Sequence, residues 1–254
     1  MLRLEALRAH GWAWQGIGDG TRAQALWEDA LARARALGDE AMTASLLLLL
    51  ANLAYERGAN SGFRGADLDE AERLARQGLH LRGRVNRGAS EAQALYIMAR
   101  IHRSRSRLEA AHSLLERALS AASTTDSRYW EAYVLFELGS VERLLGRIDD
   151  AVPRYRQSLV LSRAAGDTSA SIASLAALAR IARDRGELLR AGRLWGAVES
   201  TETSLASDWA LNRASWERDV IAQGRRDFEH ARKEGHGMSL NDAVVYALQS
   251  EQDK

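Results

Sequence analysis

The chain is 254 residues long, 46% hydrophobic and 27% charged, with a formal net charge of +1 and no cysteine. The balanced charge excludes the electrostatic footprint of a nucleic-acid binder. The lack of cysteine excludes a disulfide framework and fits a reducing, cytoplasmic setting. The longest apolar run, Leu46 to Ala51, falls far short of the ~20 residues that a membrane-spanning helix needs. The first residues are charged and helical in pattern, without the apolar core of a signal peptide. One Pro in the whole chain and few β-branched runs predict an all-α protein. Lys occurs only at Lys233 and Lys254, so 33 of the 35 basic residues are Arg, a coding bias expected of a high-GC bacterial genome.

Five segments superimpose on one template with a period of 40, interrupted by eight extra residues in the second. The first predicted helix of each segment carries a small residue: Gly11, Ala51, Ala99, Gly139 and Ala179. A turn follows at Gly18, Gly58, Ser106, Gly146 and Gly186. The second helix opens with Ala23, Ala71, Ala111, Ala151 and Ala191, and four residues later comes Trp27, Ala75, Leu115, Tyr155 or Trp195. Small residues let two backbones approach where the helices of a hairpin cross, and a bulky residue one turn on fills the adjacent groove. The second helices are expected to end at Gly38, Asn86, Asp126 and Gly166. Gly and Asn suit the left-handed conformation that closes a helix. Pro153 is expected in the first turn of its helix, where little hydrogen bonding is lost. A fixed period of this size predicts a solenoid of helical hairpins, an architecture that binds partners along extended surfaces.

These residues resemble the tetratricopeptide repeat (TPR). The fourth segment shows it best, with Leu138-Gly139, Gly146, Ala151, Tyr155 and Ser158-Leu159; the first gives Gly11, Trp14, Gly18, Ala23, Trp27 and Ala30. The resemblance covers about residues 4 to 200. The family's usual period of 34 is exceeded by six residues here, placed in the second helix and the loop after it. The insertion Ala59 to Ala66 is expected to form an edge loop, either a tolerated surface insertion or one offering Phe63 and Arg64 to a partner.

From residue 200 the period stops. Asp208 to Gln223 reads as a helix with Trp209, Leu211, Trp216 and Val220 on its apolar side, and a short helix carries Phe228 and Ala231. Ser239-Leu240-Asn241-Asp242 is a capping-box-like start, with Asp in place of Glu, for a helix with Leu240, Val244, Ala247 and Leu248 on one stripe. Residues 201–254 are expected to cover the last apolar face of the array as a helical cap. Residues 193–199 (Arg193 to Glu199), Trp216-Glu217-Arg218, Phe228 to Gly235 and Met238 to Val244 resemble the end of large bacterial ATPase-containing transcriptional regulators of the LuxR/SARP type. In those, DNA-binding and ATPase domains precede a C-terminal TPR region. The resemblance implies that this chain is the sensor and interaction portion of such a regulator.

Catalysis finds no support. A phosphate-binding loop needs a Gly-rich turn followed by Lys at a helix start, and Lys233 lies inside a helical segment. His230 and His236 lack metal-ligand spacing, there is no Cys nucleophile, and no Ser sits in a Gly-flanked elbow. No cofactor or metal is expected. Residues 208–250 have balanced charge and offer no recognition helix for DNA.

In the family that the repeats resemble, template positions two, five, nine and twelve of the first helices line the concave face. They give Trp12, Asn52, Tyr55, Tyr96, Arg100, Arg103, Tyr133, Phe136, Ser140, Arg143, Arg180 and Arg183. Asn52 matches a position where that family often uses Asn to hold a ligand's backbone. Arginine recurs with aromatics between, a set suited to an acidic peptide, a C-terminal carboxylate or a small anionic ligand. Alternatively, these arginines solvate an exposed face and pair with Glu56, Glu137, Glu142 and Asp184. Trp27, Trp195, Trp209 and Trp216 are expected in the core. Leu4, Leu7 and Trp14 are expected to present an apolar side to solvent, as in a chain cut from a longer protein or one pairing with a second copy.

The expected architecture is a right-handed α-solenoid of five TPR-like hairpins over residues 1–200 with a cap over 201–254. Its expected role is a non-catalytic scaffold for a protein, peptide or small anionic ligand, as the sensor region of a transcriptional regulator. The alternative is a free-standing adaptor that assembles other proteins.

Overall fold

A computed structural model describes residues 2–63, 65–85, 89–124, 127–202 and 226–249. Among them are twelve α-helices and no strand. No helix among the described residues is long and apolar enough to cross a membrane. Arg64, Asn86, Asp126 and the helix expected over 208–223, with Trp209, Leu211, Trp216 and Val220, lie outside the described residues. The chain forms two compact units, Met1–Val141 and Glu142–Lys254.

The first unit contains α1 (Leu2–Gly16), α2 (Gly20–Ala36), α3 (Glu40–Asn60), α4 (Gly65–Val85), α5 (Ala89–Ser104), α6 (Leu108–Ser123) and most of α7 (Arg128–Leu144). Each helix from α1 to α5 packs on the next, and α3 also packs on α5. That is the arrangement of successive helical hairpins. The small-to-bulky rule holds where it is tightest. A Cβ on Gly11 would stand 2.1 Å from Trp27 Nε1, and that indole donates to the Arg8 carbonyl at 3.1 Å. Trp27, Leu115, Leu138 and a row of leucines from Leu46 to Leu48 form the core. Leu4 departs from the expectation: it is buried at 3% exposure. Trp14 is covered by the Arg22 guanidinium, 4.3 Å above its ring.

The turns close by one repeated device. Gly18 and Gly38 have positive φ, and the following Asp sends its N–H back to the helix just ended, Asp19 to Trp14 O at 2.9 Å and Asp39 to Ala34 O at 3.0 Å. The same aspartates cap the next helix, accepting from Arg22 N at 3.0 Å and from Met42 N at 2.9 Å. A Gly–Asp pair therefore ends one helix and begins another. Gly58 corrects the expected register. It lies inside α3, and the positive φ falls four residues later at Gly62 and Phe63. The insertion thus lengthens both helices and leaves only Ser61, Gly62 and Phe63 of its described residues outside them: α3 and α4 each run 21 residues, against 17 in α2.

Ser106 holds the turn position with φ of 58° and no glycine. A left-handed L-residue costs about 1–2 kcal/mol, partly offset by the chain entropy that glycine would add to the unfolded state. Ser106→Gly is therefore expected to raise stability by roughly 0.5 kcal/mol, read as a higher urea midpoint with an unchanged slope. A lower midpoint would show that the Ser106 side chain supports the turn.

The second unit contains the end of α7, then α8 (Ile148–Ala164), α9 (Thr168–Asp184), α10 (Leu188–Glu202), α11 (Arg226–His236) and α12 (Leu240–Leu248). Gly146, Gly166 and Gly186 turn with positive φ. Pro153 is the sixth residue of α8, one turn deeper than expected, and the helix runs through it at an exposed position. The α8–α9 contact is lined by small hydroxyls. Ser162 Oγ lies 3.0 Å from Ser171 Oγ, and Ser174 donates to Ser158 at 3.2 Å. α11 packs on α10, and α12 packs on α8, α9 and α10. Ser239 caps α12, accepting from Asp242 N at 3.2 Å and donating to the Asp242 carboxylate at 2.6 Å. Glu199, 3% exposed, accepts from Arg232 Nε and Nη2 at 2.7 Å each. That fork ties α11 to α10.

Candidate functional site

In the first unit the residues at positions nine and twelve join into a polar ladder across consecutive first helices. Gln15 of α1 donates to Glu56 at 2.9 Å, and Asn52 donates to the other oxygen of Glu56 at 2.6 Å. Arg100 of α5 donates to Asn52 Oδ1 at 3.1 Å. Its guanidinium lies 4.1 Å from the Tyr55 ring centre and 5.4 Å from that of Tyr96. Cation–π contact and the Asn52 amide together fix this arginine in place. Burial opposes its charge, but the tyrosines and the carboxylates of Glu137 and Glu56 outweigh it and hold its pKa above the ordinary value. The Tyr96 hydroxyl is pushed up, chiefly by burial. Arg103 pairs with Glu137, whose carboxylate is the main reason that its own pKa is raised.

Tyr55 and Tyr96 differ from the expected groove lining, because they are only 1% and 7% exposed. They form a floor beneath Arg100. Asn52 is engaged by Arg100 and Glu56. Tyr133 belongs to a ring cluster with Tyr96 at 6.3 Å, Tyr129 at 4.8 Å and Trp130 at 6.3 Å. Ser140 Oγ donates to the Phe136 carbonyl at 3.0 Å. Trp12 is 41% exposed and meets Trp27 edge-on at 6.1 Å. Gln15 was absent from the expected set although it occupies position twelve of the first repeat, so the template itself could have found it. Tyr129 and Trp130 lie before position one, where the template carries no signal.

In the second unit the same register gives a different arrangement. Arg183 sends Nε and Nη2 to Asp184 Oδ1 at 2.9 and 2.6 Å. Among the described residues, Arg143 and Arg180 make no hydrogen bond or ion pair. Arg180 is half-buried, and its pKa is lowered, first by burial and then by the charges of Arg143 and Arg183. Opposite charges steady Arg100 and Arg103, whereas at Arg180 the charges of Arg143 and Arg183 outweigh that of Asp184.

Three solved structures share this architecture. The kinesin light chain protein of Podosopora anserina with nearly identical TPR-like repeats superimposes with a TM-score of 0.54 at 19% identity, over 81% of this chain and 98% of that one. BtubC (BKLC) from P. vanneervenii gives 0.62 at 15% identity, over 88% and 89%. Aspartyl phosphate phosphatase F from Bacillus subtilis gives 0.58 at 13%, over 100% and 72%. The fold is that of TPR-like helical repeats. No family model matches the chain, and no curated protein does.

Proposed function

We propose that this protein is a cytoplasmic, non-catalytic scaffold that binds a protein partner through its first helices, as the sensor region of a bacterial transcriptional regulator. The observation that carries the binding part is a recurrence at positions nine and twelve of the first helices, taken repeat by repeat. Trp12 and Gln15, Asn52 and Tyr55, Arg100 and Arg103, Ser140 and Arg143, and Arg180 and Arg183 give every repeat polar or aromatic side chains there. Hairpin packing is already satisfied by the small and bulky positions and does not require this. The TPR-like architecture of the solved structures supports the same reading. The regulatory part rests on the resemblance of residues 193–199, 228–235 and 238–244 to the end of such regulators. In this reading the tail beyond residue 200 caps the array.

A photo-crosslinking amino acid at position 140, compared with one at position 160, tests the binding reading in cells. Val160 is exposed on α8, a second helix. A protein adduct at 140 with none at 160 supports the proposal, and an ATPase-bearing adduct supports its regulatory part. Adducts of equal yield at both positions, or none at either, overturn it.

A further inference from the structure

We propose that the groove between α2 and α4, two second helices, seats an amphipathic helix of a partner protein. That helix carries a basic and an acidic residue seven positions apart, with two apolar residues between them. The site lies outside the first-helix reading and does not depend on it.

The groove follows from which helices pack together. α2 packs on α1 and α3, and α4 packs on α3 and α5, so α3 floors the gap between the two second helices. The cavity there measures about 210 Å³, with Leu31 of α2, Leu50 and Leu53 of α3 and Leu74 of α4 among its lining. Leu46 and Leu48 of α3 are fully covered, whereas those four leucines each keep 5% or 7% exposure. Arg57 bridges one end, donating to Gln24 Oε1 of α2 at 2.6 Å with its Nε 3.5 Å from Asp67 of α4.

The charged rim decides the occupant. Arg73 and Glu70 of the rim satisfy each other within α4 at 2.7 Å. On α2, Glu28 accepts from the neutral Gln24 amide at 2.8 Å and meets no cation among the described residues. Arg35 makes no side-chain hydrogen bond or ion pair among them. Glu28 and Arg35 both line the cavity with Leu31 between them, about 10 Å apart along the helix axis. A helix laid beside α2 repeats that separation between its own residues i and i+7, and sets i+3 and i+4 over the leucines. A Lys near Glu28 and a Glu near Arg35 complete the match. The volume favours side chains from such a helix over a free amphiphile, because it falls below the roughly 300–1,000 Å³ of sites that enclose a small ligand.

Nuclear magnetic resonance of the full chain, with leucine methyls labelled, tests the site at low ionic strength against two alanine-based helical peptides. One carries Lys, Leu, Leu and Glu at i, i+3, i+4 and i+7; the other has Lys in place of that Glu. The first is expected to shift the methyls of Leu31, Leu50, Leu53 and Leu74, and the second to bind about fivefold more weakly. Arg35→Glu should reverse that order. Arg33→Glu, the same charge change at an exposed α2 residue outside the cavity, should not. No shift at about 1 mM peptide, shifts centred on other leucines, equal affinity for both peptides, or reversal by Arg33→Glu as well would overturn the proposal. So would octanoate producing the same shifts at lower concentration than the peptide, which would mark a small-amphiphile site. Concentration-dependent shifts at these leucines without peptide would overturn it too, by placing a second copy of the chain in the groove. The cross-link at position 140 reports on a first helix, and its outcome leaves this test unchanged.

Discussion

Gly196→Ala is expected to destabilise the protein by ~3–5 kcal/mol and to strip hydrogen-exchange protection from α11 and α12. A Cβ at Gly196 would lie 2.0 Å from the Arg232 carbonyl oxygen and 2.9 Å from His236 N. One at Gly192 would lie 2.6 Å from Phe228 O, and one at Gly235 would lie 2.1 Å from Arg193 O. Glycines on both helices thus meet the opposing backbone, and no flexible side chain can move aside. The helices must separate. Separation exposes Phe228 and Ala231, both buried, and draws Arg232 away from the buried carboxylate of Glu199. The sign of the effect is diagnostic, because in an unobstructed helix Gly→Ala is stabilising by about 1 kcal/mol. Gly237→Ala is the control: its nearest neighbour, Glu234 O, is 3.4 Å away. Hydrogen-exchange mass spectrometry and thermal melting read both variants. Wild-type melting and protection in Gly196→Ala would mean that α10 and α11 do not cross this closely.

Local pairings were legible in the sequence, and distant ones were not. Gly11 against Trp27 could be read because both partners sit inside one hairpin, at a separation that recurs. Gly18, Gly38, Gly146, Gly166 and Gly186 could be read because a left-handed turn demands a residue type. Gly58 misled for the same reason. Two glycines four residues apart, Gly58 and Gly62, offered the same chemistry, and helix continuation chose the second. Gly196 and Gly235 of the α10–α11 crossing sat in the segments that resemble regulators, but their mechanical meaning depends on a contact spanning about forty residues. The arginines were legible in part. Glu137 and Asp184 stood among the expected partners and pair with Arg103 and Arg183, while nothing in the template pointed to Asp69 and Glu72 as the partners of Arg105. Trp14 is similar, covered by Arg22 across the α1–α2 turn rather than by an apolar neighbour.

Arg103→Leu is expected to cost ~3 kcal/mol, near the lower end for a broken buried pair, because Arg103 itself retains some exposure. The cost comes chiefly from the partner left behind. Glu137 is 3% exposed, and without the guanidinium its carboxylate keeps the desolvation penalty and loses the compensating charge. Arg103→Leu combined with Glu137→Leu should therefore recover most of the loss, since a well-packed apolar pair often matches a buried ion pair. Urea denaturation of the two single variants and the double variant gives the coupling directly. A coupling near zero, with Arg103→Leu as stable as the unsubstituted protein, would show that water reaches Glu137 and that Arg103 is free to meet a ligand. The same measurement on Arg180→Leu should move the opposite way, because removing that guanidinium leaves no buried carboxylate behind and relieves repulsion with Arg143 and Arg183. Two arginines at neighbouring template positions would then differ in sign. That sign distinguishes an arginine that neutralises a buried carboxylate from one opposed by like charges.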